Sequence, residues 1–261
     1  MALVEYAMRD GVAVLTLNRP DKRNAINDAL MGELGAAVDR AAAEARAAVL
    51  CAEGAHFSAG LDLAEQAAKD LMAGIAGSRG WHAVFSRMQR GAIPYVAALK
   101  GAVVGGGLEL ASAAHIRVAE PDTFLAMPEG QRGIFLGGGG SVNITRLIGV
   151  PRVVDMMLTG RTVGAAEAER IGAVNYLAAA GAGLDRAMEL ARRIAANAPL
   201  SNYATINALQ RIHDSGHDEG LFFETMIATL TQMTPDAAEG MRAFVEKRAG
   251  RLRAPGPEDA A

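Results

Sequence analysis

Three consecutive glycines, Gly105, Gly106 and Gly107, stand where a strand, Gly101-Ala102-Val103-Val104, runs into an apparent helix opening Leu108-Glu109-Leu110. Glycine loses more backbone freedom on folding than any other residue, so three in a row need a structural reason. One reason is that glycine lets a ligand carbonyl approach the free N–H groups of a helix's first turn, where the helix dipole favours developing negative charge. Glu109, one turn in, then leans back toward the helix N-terminus and shares a pocket with the N–H of Gly106. The alternative is close strand–helix packing with Glu109 in solvent. A dinucleotide fingerprint does not fit, because G-x-G-x-x-G from Gly105 would need glycine where Leu110 stands.

The chain around this turn alternates β-rich runs with helical patterns, which predicts an α/β body of repeated ββα or βα units. Val12 to Leu17 reads as a strand closed by the turn residues Asn18-Arg19-Pro20-Asp21. Asn27 is a candidate N-cap for a helix whose apolar face is Ile26, Leu30, Leu34, Val38 and Ala41. Ala47 to Ala52 and Tyr95 to Leu99 read as buried strands. After about Ser141 the strand signals fade to one candidate, Val174 to Leu177. Helices are expected over Pro151 to Thr159, Gly164 to Ile171, Gly183 to Ala195, Pro199 to His213, Gly220 to Gln232 and Pro235 to Arg248. The body therefore covers residues 1–195, a helical part 196–250, and a frayed tail 251–261. Between Glu65 and Gly80, Gly74, Gly77 and Gly80 predict a weak helix or mobile loop.

Composition narrows the function. With 51% hydrophobic and 21% charged residues the chain can fold alone, and a net charge of −3 supplies no field for phosphate backbones, so no nucleic-acid partner is expected. One cysteine, Cys51, rules out an internal disulfide framework and fits a reducing compartment. Glu5, Arg9 and Asp10 interrupt any signal-peptide core, and Lys100, Glu109 and Arg117 interrupt the most apolar stretch, so neither secretion nor a membrane association is expected and the protein reads as cytoplasmic. His56, His82, His115, His213 and His217 form no H-E-x-x-H arrangement, so no metal site is expected; His213 and His217 read as a helix end.

Two further segments could carry chemistry. In Ala126-Met127-Pro128-Glu129-Gly130 the proline suits a first helical position with Glu129 beside it, and Gly133 and Gly137 to Gly140 follow. This is a plain helix start or a second carboxylate; two carboxylates in one pocket can divide acid and base work. His56-Phe57-Ser58-Ala59-Gly60-Leu61-Asp62-Leu63 is a small-residue turn that could present another free N–H, with His56 and Ser58 reading as a surface histidine and a turn serine.

In this order the segments resemble the crotonase family, the enoyl-CoA hydratase/isomerase superfamily. Val14 to Ile26 is similar to the family's VxxLNRPxxxNAI segment, Phe57 to Leu63 to its FSAGxDL, Gly101 to Glu109 to its GxxxGGGxE, Pro128 to Gly140 to its PExxxGxxPGxGG, and Glu239 to Arg248 to its EGxxAFxEKR helix. The resemblance implies a crotonase-like ββα superhelix and an oxyanion hole formed by the N–H groups of Leu61 and Gly106. It implies Glu109 and Glu129 as catalytic groups, and coenzyme A along Lys22, Arg23, Ala25, Ala59, Leu61, Asp62 and Leu63, with Lys247 or Arg248 near its phosphates. No separate cofactor follows, coenzyme A being part of the substrate. The implied activity is enoyl-CoA hydration. Rivals are Δ3-Δ2-enoyl-CoA isomerisation, another acyl-CoA lyase reaction, or a catalytically idle member serving in RNA binding or assembly. A homotrimer or dimer of trimers is implied, with residues 196–250 as the oligomerisation part. Leu136 stands where the family often has proline, and Gly130-Gln131-Arg132 is more polar than usual, so the acyl pocket departs from the pattern. Gly137 replaces the aspartate of dienoyl-CoA isomerases and 3-hydroxyisobutyryl-CoA hydrolases, which argues against those branches.

Overall fold

A computed structural model describes residues 2–248; the tail expected over 251–261 lies outside the described residues. The chain divides into one unit ending at Ala195 and a second beginning at Ala196.

The first unit opens with β1 (Val4–Arg9) and β2 (Val12–Leu17), followed by α1 (Asp28–Glu44) and β3 (Ala47–Ala52). Next come α2 (Leu63–Gln66), α3 (Leu71–Arg90), β4 (Tyr95–Leu99), β5 (Ala102–Val104), α4 (Gly106–Ser112), β6 (Ile116–Ala119) and β7 (Phe124–Ala126). Then α5 (Gly140–Ile148), α6 (Val150–Thr159), β8 (Thr162–Gly164), α7 (Ala165–Arg170), β9 (Tyr176–Leu177) and α8 (Gly183–Ala195) complete it. A six-stranded sheet runs in the order β1-β2-β3-β4-β6-β9, and a three-stranded sheet in the order β5-β7-β8. Among the described residues, only the pairs β1–β2 and β7–β8 are antiparallel.

Parallel strands covered on both faces should read as unbroken apolar runs, and β3 and β4 are buried at every position. Their alternate residues feed two clusters. Leu15, Leu50 and Leu99 point to the face packed with Leu30, Leu34 and Phe85, while Val14, Val49 and Val96 meet Ala187, Met188 and Ala191 of α8. The predicted first helix forms as expected: the Asn27 side chain accepts from Leu30 N at 2.9 Å, and Ile26, Leu30, Leu34, Val38 and Ala41 are all buried.

Four expectations are corrected. Residues 71–90 form one continuous helix rather than a weak helix or loop: Asp70 caps it by accepting from Ala73 N at 2.8 Å, and Trp81, Val84, Phe85 and Met88 anchor its second half in the core. Tertiary burial here outweighs three glycines. A strand after Ser141, β8, was hidden because it is only three residues long and pairs on one side. Pro128 does not open a helix, since Glu129 is the residue before a short 3-10 turn over Gly130–Arg132. Ser58 is fully buried, and His56 is partly buried with Nδ1 accepting from Ala102 N at 3.1 Å.

The second unit is helical, with α9 (Pro199–Asp214), α10 (His217–Gln232) and α11 (Pro235–Val245). His213 and His217 do fall at a helix junction. α10 starts three residues before the expected Gly220, and α11 stops at Val245, short of Arg248.

Candidate active site

β5 ends in the glycine turn. Gly105 takes φ +51, a conformation open to glycine, and its N–H donates to Ala126 O of β7 at 2.9 Å. A Cβ at Gly105 would stand 2.6 Å from Glu129 Oε1, so the missing side chain is what lets Glu129 close on the turn.

Beside it runs residues 57–62, held from both sides. Ser58 N donates to Ala102 O at 3.0 Å and Val104 N to Ser58 O at 3.0 Å, while Ile26 N donates to Gly60 O at 2.7 Å. Two buried polar side chains brace the segment. Ser58 Oγ donates to Asn24 O at 2.8 Å and accepts from Gly60 N at 3.1 Å, and Asn24 Nδ2 donates to Glu53 O and His56 O. Nothing but residue type marks these braces in the sequence, because the cross-chain partners are backbone atoms about 30 residues away.

This brings Leu61 and Gly106 side by side. A Cβ on Gly106 would lie 3.3 Å from Leu61 N and 2.7 Å from two atoms of the Trp81 ring. Neither N–H donates to an acceptor among the described residues. Both residues line a cavity of about 170 Å³ with Glu109, Glu129, Trp81 and the loop of Ile134, Phe135, Gly137 and Gly138.

The two carboxylates are placed differently. Glu109 Oε1 accepts from Gly138 N and Gly140 N, each at 2.8 Å. Burial pushes its carboxyl above the usual range, and those N–H groups pull the other way. Glu129 Oε2 is buried with no hydrogen-bond partner. Burial, with the charge of Glu109 adding to it, raises its carboxyl to about 7. Near neutrality Glu129 therefore both holds and releases a proton readily, beside a second carboxyl held differently, an arrangement suited to acid–base chemistry.

The raised value has a measurable consequence. An unfolded glutamate titrates near 4.5, so between about 4.5 and 7 the folded state holds the proton more tightly and stability falls as pH rises through that window. Glu129→Gln, neutral throughout, should therefore gain on the parent by up to about 3 kcal/mol on going from pH 4 to pH 8, less where solvent screens the partly open carboxyl. Urea unfolding at both pH values measures this; an equal difference at both would remove the raised titration.

The other sequence-predicted residues gather along one edge. Ala59 N donates to Arg23 O at 2.9 Å and Asp62 N to Ile26 O at 2.9 Å, which lays residues 22–26 against 59–62. Lys22, Arg23 and Leu63 are exposed, and Ala25, Ala59 and Leu61 partly so. The Asp62 carboxylate is already engaged: it accepts from Arg19 at 2.6 Å and caps α2 through Ala64 N and Glu65 N. Lys247 belongs to the second unit, at φ +60. Trp81, Gln66, Lys69, Ser78, Ile134 and Phe135 line the cavity without having been singled out from sequence. The i, i+3, i+4, i+7 spacing of Gly74, Gly77, Ser78 and Trp81 was the available signal, and the glycines masked it as a helix.

A mostly parallel six-stranded sheet with a smaller three-stranded companion, a glycine turn after β5, and two free N–H groups sharing one cavity with a pair of buried carboxylates define a protein of the crotonase fold. The sequence matches the family signature described as enoyl-CoA hydratase/isomerase over residues 7–253. The chain belongs to that family. It is 34% identical to the 2,3-dehydroadipyl-CoA hydratase of Escherichia coli K12, over 91% of this chain and 93% of that one. It is 31% identical to the short-chain-enoyl-CoA hydratase of Clostridium acetobutylicum, over 91% and 92%. Among solved structures, a candidate enoyl-CoA hydratase from Rhodopseudomonas palustris is 48% identical and superposes with a TM-score of 0.91, over 94% of this chain and 95% of that one.

Proposed function

We propose that this protein is an enoyl-CoA hydratase that adds water across the 2,3 double bond of an α,β-unsaturated acyl-CoA thioester. The observation that carries the reading is the partnerless, proton-retaining Glu129 and the loop-held Glu109 in one cavity with the unpaired N–H groups of Leu61 and Gly106. The thioester oxygen accepts from those two N–H groups, which stabilise the enolate as charge moves onto it. Glu109 takes a proton from a water whose oxygen bonds to C3. Glu129 gives its proton to C2, and exchange between the carboxyls resets the pair, so the net addition is one water. The reaction is redox-neutral and coenzyme A arrives as part of the substrate, so the chemistry calls for no separate cofactor. The CoA moiety lies along residues 22–25 and 59–63, which the backbone bonds between Ala59 and Arg23 and between Asp62 and Ile26 hold together. Loss of enone absorbance on mixing with crotonyl-CoA tests the activity; no loss would refute it.

The N–H of Leu61, not its side chain, does this work. Leu61→Ala should keep at least about a tenth of the parent rate, since truncating a half-buried aliphatic group leaves the donor in place. A loss as deep as that of a carboxylate variant would remove Leu61 from the oxyanion hole.

No described helix is long and apolar enough to cross a membrane. The lone cysteine, Cys51, is buried and unpaired, which supports a reducing, cytoplasmic setting. The second unit exposes Leu209, Phe222, Leu230, Met233 and Phe244. Apolar surface of that kind supports assembly as a homotrimer or dimer of trimers. Light scattering at micromolar concentration should show three or six copies, and a monomer would contradict it.

A further inference from the structure

The far wall of the cavity is polar. We propose, building on the hydratase reading, that this pocket selects acyl groups bearing a neutral oxygen, a hydroxyl or a keto group, near their sixth carbon. The path can be traced contact by contact. The thioester carbonyl belongs at Gly106, which abuts Trp81. C2 and C3 lie between the carboxyls. Beyond Glu109 comes Gly138, whose absent Cβ would be 2.8 Å from Trp81, and then Gly137, whose carbonyl accepts from Ser78 Oγ at 2.6 Å. From there α3 presents Gly77 and Gly74. Neither has a side chain, and the space over them holds two polar groups instead. Lys69 Nζ is 3.5 Å from the Cβ position of Gly77, and Gln66 Nε2 is 3.8 Å from that of Gly74.

Distance along α3 sets where these groups meet the substrate. From Trp81 to Gly77 is one helical turn, about 6 Å. An extended chain advances about 1.2 Å per bond, a third of the roughly 3.6 Å that a residue spans, so Lys69 faces about the fifth or sixth carbon.

Charge decides between kinds of oxygen. Lys69, its side chain 12% exposed, pairs with Asp28 at 2.6 Å and lies 3.6 Å from Glu65. One cation between two carboxylates leaves this wall with a net negative charge, and Glu109 and Glu129 lie deeper in the same cavity. A terminal carboxylate is repelled there, whereas a hydroxyl or keto oxygen accepts from the ammonium without adding charge. The Gln66 amide has no partner among the described residues and can accept from a hydroxyl. Ile134 and Phe135 also line the cavity and offer apolar contact to the alkyl part of the chain.

Saturated ligands test this without catalysis. Calorimetry on the full chain should show 6-hydroxyhexanoyl-CoA binding about fivefold tighter than hexanoyl-CoA, the usual net worth of one hydrogen bond, and adipyl-CoA no tighter than hexanoyl-CoA. Lys69→Met with Gln66→Leu should bring the first two to equal affinity. Gln66→Leu alone breaks no ion pair and should at least halve the preference, which keeps the test decisive if the double variant does not fold. Equal binding of the two ligands by the parent, a preference that survives substitution, or adipyl-CoA as the tightest ligand would each overturn the proposal. Failure of the hydratase reading shows separately, as absent crotonyl-CoA turnover, because the binding ratio does not depend on it.

Discussion

Glu109→Gln lowers crotonyl-CoA hydration at least about 10²-fold, the lower end of what a positioned acid or base contributes. The amide keeps the shape of the carboxylate, and its oxygen can still accept the N–H groups of Gly138 and Gly140 that Glu109 Oε1 holds at 2.8 Å. What it cannot do is take a proton from water. Glu129→Gln should fall by a similar factor for the complementary reason that an amide has no acid proton to give. Unchanged unfolding temperature at neutral pH for Glu109→Gln would assign the loss to chemistry. A near-normal hydration rate in that variant would remove Glu109 as the base, and retained conversion of a 3-enoyl-CoA to its 2-enoyl isomer would favour the Δ3-Δ2-enoyl-CoA isomerase reading, in which the resemblance calls for a carboxylate at Glu129 alone.

The second large effect is at Gly106. Alanine there places a Cβ 2.7 Å from two Trp81 ring atoms and 3.3 Å from Leu61 N. A ring in a packed core cannot step aside freely, and the methyl would sit over the one donor it does not displace. Loss of an oxyanion donor alone is worth about 10²–10³-fold, so Gly106→Ala should lose at least about 10³-fold in hydration. Gly106→Pro removes the N–H itself and should abolish activity. Either variant turning over crotonyl-CoA at the parent rate would dissolve the assignment of Leu61 and Gly106 as the oxyanion pair.

What the sequence made legible was whatever repeats locally. The face of α1 through Leu30, Leu34 and Val38, and the apolar runs of β3 and β4, carry their own periodicity. The carboxylates and glycines of the site were legible through motif order. The wall formed by α3 was not, because Asp70 as cap and Trp81 as anchor stabilise a helix that its three glycines argue against. Nor could β8, three residues pairing with β7 alone, announce itself. The unpaired oxygen of Glu129 depends on which backbone atoms fold around it, and that is a property of the assembled turn.

Ser58, Gly60 and the glycine turn are tied into strands, whereas Gly74, Gly77, Ile134 and Phe135 lie on a helix and a loop that contribute no strand. In the proposed reaction the thioester donors are thus held by strand-tied backbone, and the far end of the acyl group meets the first half of α3 and residues 134–135, with Trp81 and Gly138 touching both. On that reading, substitutions at residues 71–78 of α3 or at 134–135, away from Trp81, can trade one acyl group for another while the two N–H groups of Leu61 and Gly106 stay in register. A lineage built on this scaffold could change its diet by point mutation without relearning its reaction, and directed evolution of new substrate ranges should find its gains along those two segments.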